Sequence, residues 1–118
     1  MGKHTELGRN GEILATEFLI DKGHTIICTN YRFDHREIDI ISLEEDIIVF
    51  TEIKTRSNYD FGFPEEAVTV RKQELIKAAA AHFLLDYPEN QKVRFDVISI
   101  LMQHGKVLEM LHFEDAFY

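Results

Sequence analysis

Asp39, Glu52 and Lys54 are the residues of this chain whose types and spacing best suit chemistry. They lie in the stretch Glu37–Arg56, whose two Ile- and Val-rich halves flank the acidic turn Leu43–Asp46 and predict a strand hairpin. Side chains alternate along a strand, so Ile48, Phe50, Glu52 and Lys54 share one face of the second half, and Ile47, Val49, Thr51 and Ile53 the other. In the first half Glu37, Asp39 and Ile41 share a face. The hairpin then brings Asp39, Glu52 and Lys54 together near one edge of an otherwise apolar sheet. Charges in such a place are costly unless paired or bound. Magnesium and manganese take oxygen ligands from a few carboxylates and complete their shell with water and phosphate. Asp39 and Glu52 supply that pair, with the Ile53 carbonyl adjacent. A metal held there activates water and stabilises charge on a phosphate under attack. Lys54 would orient the water or offset charge in the transition state. The plainer alternative is a surface ion pair between Glu52 and Lys54, common in sheets and worth little.

The elements that must position these groups can be read in order. Thr5 to Lys22 predicts a helix with Leu7, Leu14, Phe18 and Leu19 on its apolar stripe, capped by Gly23. Gly8, Gly11 and Ala15 form a small-residue patch for close packing, with Glu12 beside it. A strand from His24 to Arg32 follows, and Asn30–Arg36 turns into the hairpin. The irregular stretch Ser57–Pro64 carries Tyr59, Phe61 and Phe63, suited to stacking on bases or to closing the core. Val70 to Leu85 predicts a second helix with Thr69 as its N-cap. Val93 to Leu101 and Lys106 to Phe113 predict two more strands around the His104-Gly105 turn. A right-handed crossover through the second helix sets the Val93 strand parallel to the second hairpin strand. The expected architecture is a compact α/β sandwich around a mixed sheet, in the order α-β-β-β-α-β-β.

Length and composition bound the rest. The 118 residues, 45% of them hydrophobic, predict one folded domain over 1–118. No apolar run approaches the roughly 20 residues that span a bilayer, and the N-terminus lacks an apolar signal region. No membrane association is expected. The single cysteine, Cys28, suits a reducing cytoplasm and sits in an apolar run where an inert buried thiol is the expectation. The six histidines show no zinc-type spacing, and His35 in its turn reads as solvent-exposed. The net charge of -8 argues against a protein that simply coats nucleic acid, though not against carboxylates that hold cations which then meet phosphates.

Gly8-Arg-Asn-Gly-Glu12, Asn30-Tyr-Arg32, Glu37-Ile-Asp-Ile-Ile41, Glu52-Ile-Lys-Thr-Arg56, Phe61-Gly-Phe-Pro64, Lys72 and Arg94-Phe-Asp-Val97 together resemble the successive motifs of the YraN family of small, uncharacterised bacterial proteins. The resemblance covers nearly the whole chain. It implies a restriction-endonuclease-like core, a central mixed β-sheet flanked by helices, related to archaeal Holliday-junction resolvases. It places Asp39, Glu52 and Lys54 on that superfamily's metal and catalytic positions, and Glu12 on a first-helix glutamate that joins the metal shell. Arg56 is implied either to contact a phosphate or to pair with Glu37. Lys72 is implied to contact the DNA backbone, against the ordinary reading of a solvated helix lysine. Asp96 reads as structural. Arg36 stands where the family usually has a small residue, often glycine, and is a further candidate substrate contact.

Three readings follow. The first is a magnesium- or manganese-dependent endonuclease that hydrolyses DNA phosphodiester bonds, on branched or single-stranded DNA, as a homodimer matching the two-fold symmetry of a junction. The second is a catalytically silent module on the same fold that binds nucleic acid or a protein. The third is a structural domain whose charged hairpin is only an ion-pair patch.

Overall fold

The computed structural model describes residues 6–58 and 68–118, with side chains from Asn10 onward in the first helix. Helix α1 (Glu6–Asp21) leads into β1 (Thr25–Phe33), β2 (Arg36–Glu44) and β3 (Ile47–Arg56). Helix α2 (Val70–Phe83), a single 3-10 turn (Leu84–Asp86), β4 (Lys92–Gln103) and β5 (Lys106–Phe117) complete the order. Five strands form one sheet in the order β1-β2-β3-β4-β5. All neighbours are antiparallel except β3 and β4, which run parallel through the α2 crossover. The expected α/β order and mixed sheet are therefore present. Element ends shift by a few residues, most at β5, which continues to Phe117 past the expected Phe113. The expected helix start at Thr5 and the aromatics Tyr59, Phe61 and Phe63 lie outside the described residues.

Local chemistry fixes the ends. At the close of α1, Gly23 sits at φ 100, and the Gly23 and His24 amides donate back to the Ile20 and Leu19 carbonyls. A residue with a Cβ resists that backbone. Thr69 caps α2, its hydroxyl accepting from the Lys72 amide at 3.2 Å.

The sheet buries both faces. Ile38, Ile41, Ile48, Phe50 and Val97 pack against Ile76, Ala79 and Ala80 of α2. Ile40, Ile98, Ile100 and Met102 pack against Ala15 and Leu19 of α1. Helix α1 meets β3 where Gly11 abuts Thr55, and a methyl group added at Gly11 would overlap the Thr55 side chain. Thr55 is β-branched and cannot easily turn aside. Gly11→Ala is therefore expected to destabilise the chain by about 1–2 kcal/mol despite alanine's better helix propensity. The urea midpoint reads this out, and an unchanged midpoint would mean that the helix shifts freely.

Candidate functional site

Strands β2 and β3 pair from Glu44↔Ile47 to Ile40↔Thr51, and no pair continues to Asp39. The alternation of β2 also breaks there. Ile38 and Ile41, three residues apart, both face α2, whereas Ile40 faces α1. On β1, Asn30 lies between the partners of Ile40 and Ile38 and adopts φ 55. Cys28 and Tyr31, again three apart, both pack on the α2 side. The expectation that Glu37, Asp39 and Ile41 share one face is thus corrected: both strands change phase at this level.

The phase change puts a carboxyl where a ladder bond would otherwise be. The Ile53 amide donates to Asp39 Oδ2 at 2.8 Å, so this side chain takes the place of a backbone acceptor in the opening between the strands. Glu52, on the α2 face of β3, bonds the Asp39 carboxyl directly. Its side chain is only 11% exposed. Burial, then the neighbouring Asp39 charge, raises the Glu52 carboxyl to about 8. Asp39 is also raised, chiefly by burial and further by the charges of Glu12 and Glu37, against the opposing bonds from Ile53 and Glu52. Two buried carboxyls this close share a proton unless a cation neutralises them.

The surrounding candidates divide clearly. Lys72, in the first turn of α2, reaches back so that Nζ lies 3.4 Å from Glu52 Oε2. Glu52 therefore pairs across elements with Lys72 rather than along its own strand with Lys54. Lys54 is exposed on β3, two residues beyond Glu52. Glu12 contributes charge from α1, half-buried beside Gly11. Among the described residues no three His, Cys, Asp or Glu side chains converge closely enough to make a ready metal cage. The immediate contact is the Asp39–Glu52 pair, with Glu12 in its field. Arg56 is half-buried at the end of β3. Arg36 pairs with Asp34 at 3.5 Å and lies over the Phe33 ring. His35 is exposed beside Asp34. The donor chemistry suits a hard divalent cation, because such an ion is bound by carboxylate oxygens and takes the place of the proton that two close carboxyls otherwise share.

Asp96 belongs to a different constellation. It is fully buried on the α1 side of β4, where Arg94 grips it with Nε at 2.8 Å and Nη2 at 2.9 Å. The Asp115 amide donates at 3.0 Å. Lys22 Nζ can only donate to His112 Nδ1, which leaves His112 Nε2–H to donate to Asp96 at 2.8 Å. Arg94 also meets Glu44 at 2.9 Å. These contacts fit the structural reading of Asp96. Sequence reading missed the Lys72–Glu52 contact and the His112 link, since each joins distant segments. The only signal for the first was that an N-cap at Thr69 sets Lys72 in the first turn of the helix that follows β3 in the chain.

The sequence model of an uncharacterised protein family, UPF0102, matches residues 11–100. A UPF0102 protein of Flavobacterium psychrophilum is 42% identical over 118 residues, covering 100% of this chain and 98% of that protein. One from Rhodococcus jostii is 40% identical, covering 99% of this chain and 100% of its own length. One from Chlorobium limicola is 44% identical, covering 95% and 92%.

Proposed function

The chain belongs to the UPF0102 family, to which the YraN resemblance pointed, and on that footing we propose that it is a magnesium- or manganese-dependent endonuclease acting on DNA. The observation that carries the reading is the buried Asp39–Glu52 pair in the opening between β2 and β3. A structural role gives no reason to bring two carboxyls together out of water, since each raises the other's cost of ionising. Asp39 and Glu52 would hold the metal, with Glu12 adjacent and Lys54 at the open side. The bound cation supplies an acidic water and charge stabilisation on the phosphate. The chain's part is orientation: the Ile53 amide fixes the Asp39 carboxylate, and Lys54 offsets negative charge that grows on the attacked phosphate. Arg36, Arg56 and Lys72 would meet the DNA backbone. No described helix is long and apolar enough to cross a membrane, and Cys28, with its thiol pushed up by burial, suits a reducing cytoplasm.

The silent binding module is the second reading, favoured by the net charge of -8 and by the ammonium already beside Glu52. Cleavage of linear, single-stranded, flapped and four-way-junction DNA, with magnesium or manganese and with chelator, separates the two. The proposal expects metal-dependent cutting that falls roughly 10²–10³-fold in Asp39→Asn, the scale of losing one charge-stabilising group. Cutting that survives in folded Asp39→Asn would belong to a contaminant. Absence of cutting on every substrate by folded protein would leave the binding module, and gel-shift or pull-down would then identify its partner.

A further inference from the structure

The contact between Lys72 and Glu52 has features that neither helix stability nor surface charge pairing explains. Helices favour acidic residues in the first turn and disfavour cations there, because the N-terminal end of the helix is positive. The first turn of α2 has no acidic residue, yet carries Arg71 and Lys72 in sequence. Lys72 Nζ nevertheless extends to within 3.4 Å of Glu52 Oε2, a carboxyl 11% exposed, while its own side chain stays 46% exposed. The same Glu52 carboxyl bonds Asp39. The Glu52 carboxyl is thus shared between a second carboxyl and one half-exposed ammonium.

Resting on the metal-dependent reading above, we propose that Lys72 is a built-in counter-ion of the carboxylate pair that a divalent cation must displace. The ammonium and the divalent ion compete for the same Glu52 carboxylate and repel one another at that range. Metal entry therefore releases Lys72, and the freed ammonium becomes available to a substrate phosphate at the same site. The device couples the two events. A site without metal keeps its cationic side chain folded onto Glu52, and a site with metal presents it. Because the lysine is half-exposed, the competition is modest and reversible.

The test is direct manganese binding by the full chain, measured by calorimetry without DNA, so that the readout is independent of cleavage. Lys72→Met is expected to tighten manganese about three- to fivefold, the equilibrium value of a partly exposed ion pair. Arg71→Met removes the same formal charge from the neighbouring exposed position and is expected to stay near wild type. Lys72→Arg keeps a cation in reach and should also stay near wild type. Lys72→Met that binds no tighter than Arg71→Met, or binds more weakly, overturns the counter-ion role while leaving the metal site standing. If none of the four proteins shows saturable manganese binding while circular dichroism shows them folded, the metal reading itself fails and the counter-ion role with it. Lys72 lies at an exposed helix start that disfavours a cation, so its removal does not endanger folding.

Discussion

Glu52→Gln is expected to make the protein more stable at neutral and mildly basic pH while removing its response to divalent cations. Burial and then the Asp39 charge raise the Glu52 carboxyl to about 8 from an ordinary 4.5. A carboxyl with a raised folded pKa stabilises the fold fully below its unfolded value. That contribution is lost as pH climbs from about 4.5 through about 8. Glutamine reproduces the protonated shape and has no charge to lose. Since Asp39 shares the same proton, the gain at pH 8 is set below the single-group figure, at roughly 1–3 kcal/mol. For a chain of this size that is a Tm rise of several degrees. On the metal-dependent reading magnesium would neutralise the pair in the wild type, so it should raise the wild-type Tm and leave Glu52→Gln unmoved. Thermal melts across pH, with and without magnesium, decide this. A lower Tm for Glu52→Gln at pH 8 would show that the carboxyl pair is not the source of strain.

Asp96→Asn is expected to act in the opposite direction and by more. Burial alone would raise the Asp96 carboxyl, but bonds from His112, Arg94 and the Asp115 amide outweigh it and hold the group near 2. Its stabilisation is therefore complete above about 3.8 and is lost as pH falls through about 2. Asparagine removes the charge opposite Arg94, whose side chain is 14% exposed, and turns one acceptor into a donor facing Arg94 or His112. Breaking one side of a buried ion pair typically costs about 3–5 kcal/mol, a large part of a domain's total stability of about 5–15 kcal/mol. Urea unfolding at pH 7 measures the loss, and the two proteins should converge in strong acid. A difference below about 1 kcal/mol at pH 7 would mean that the network is solvated or rearranges.

The fold was legible because its signals are local. Alternating Ile and Val marked β2 and β3, Thr69 and Gly23 marked helix ends, and the crossover rule gave the parallel β3–β4 pairing that is found. The candidate site was half legible. Alternation on β3 correctly set Glu52 with Phe50 and Ile48 on one face, but alternation on β2 failed at Asp39. That failure lies level with Asn30, a left-handed residue on the next strand, and nothing within the hairpin announces it. Lys72 illustrates the same limit from the other side. Charge spacing pointed to Lys54 as the natural partner of Glu52, whereas the tertiary crossover supplies a lysine from another element at 3.4 Å. His112 reaches Asp96 only because β5 runs antiparallel beside β4, a pairing that short-range pattern cannot register in detail.

The crossover that brings Lys72 to Glu52 also joins two closures of different kinds. The β1–β2–β3 meander closes through tight turns, so Asp39 and Glu52 can meet at small entropic cost. Their cationic partner comes from α2, on the connection that leads into the parallel β4 strand. Two of the charged groups are therefore held by local strand pairing, and the third by a helix docked from the crossover.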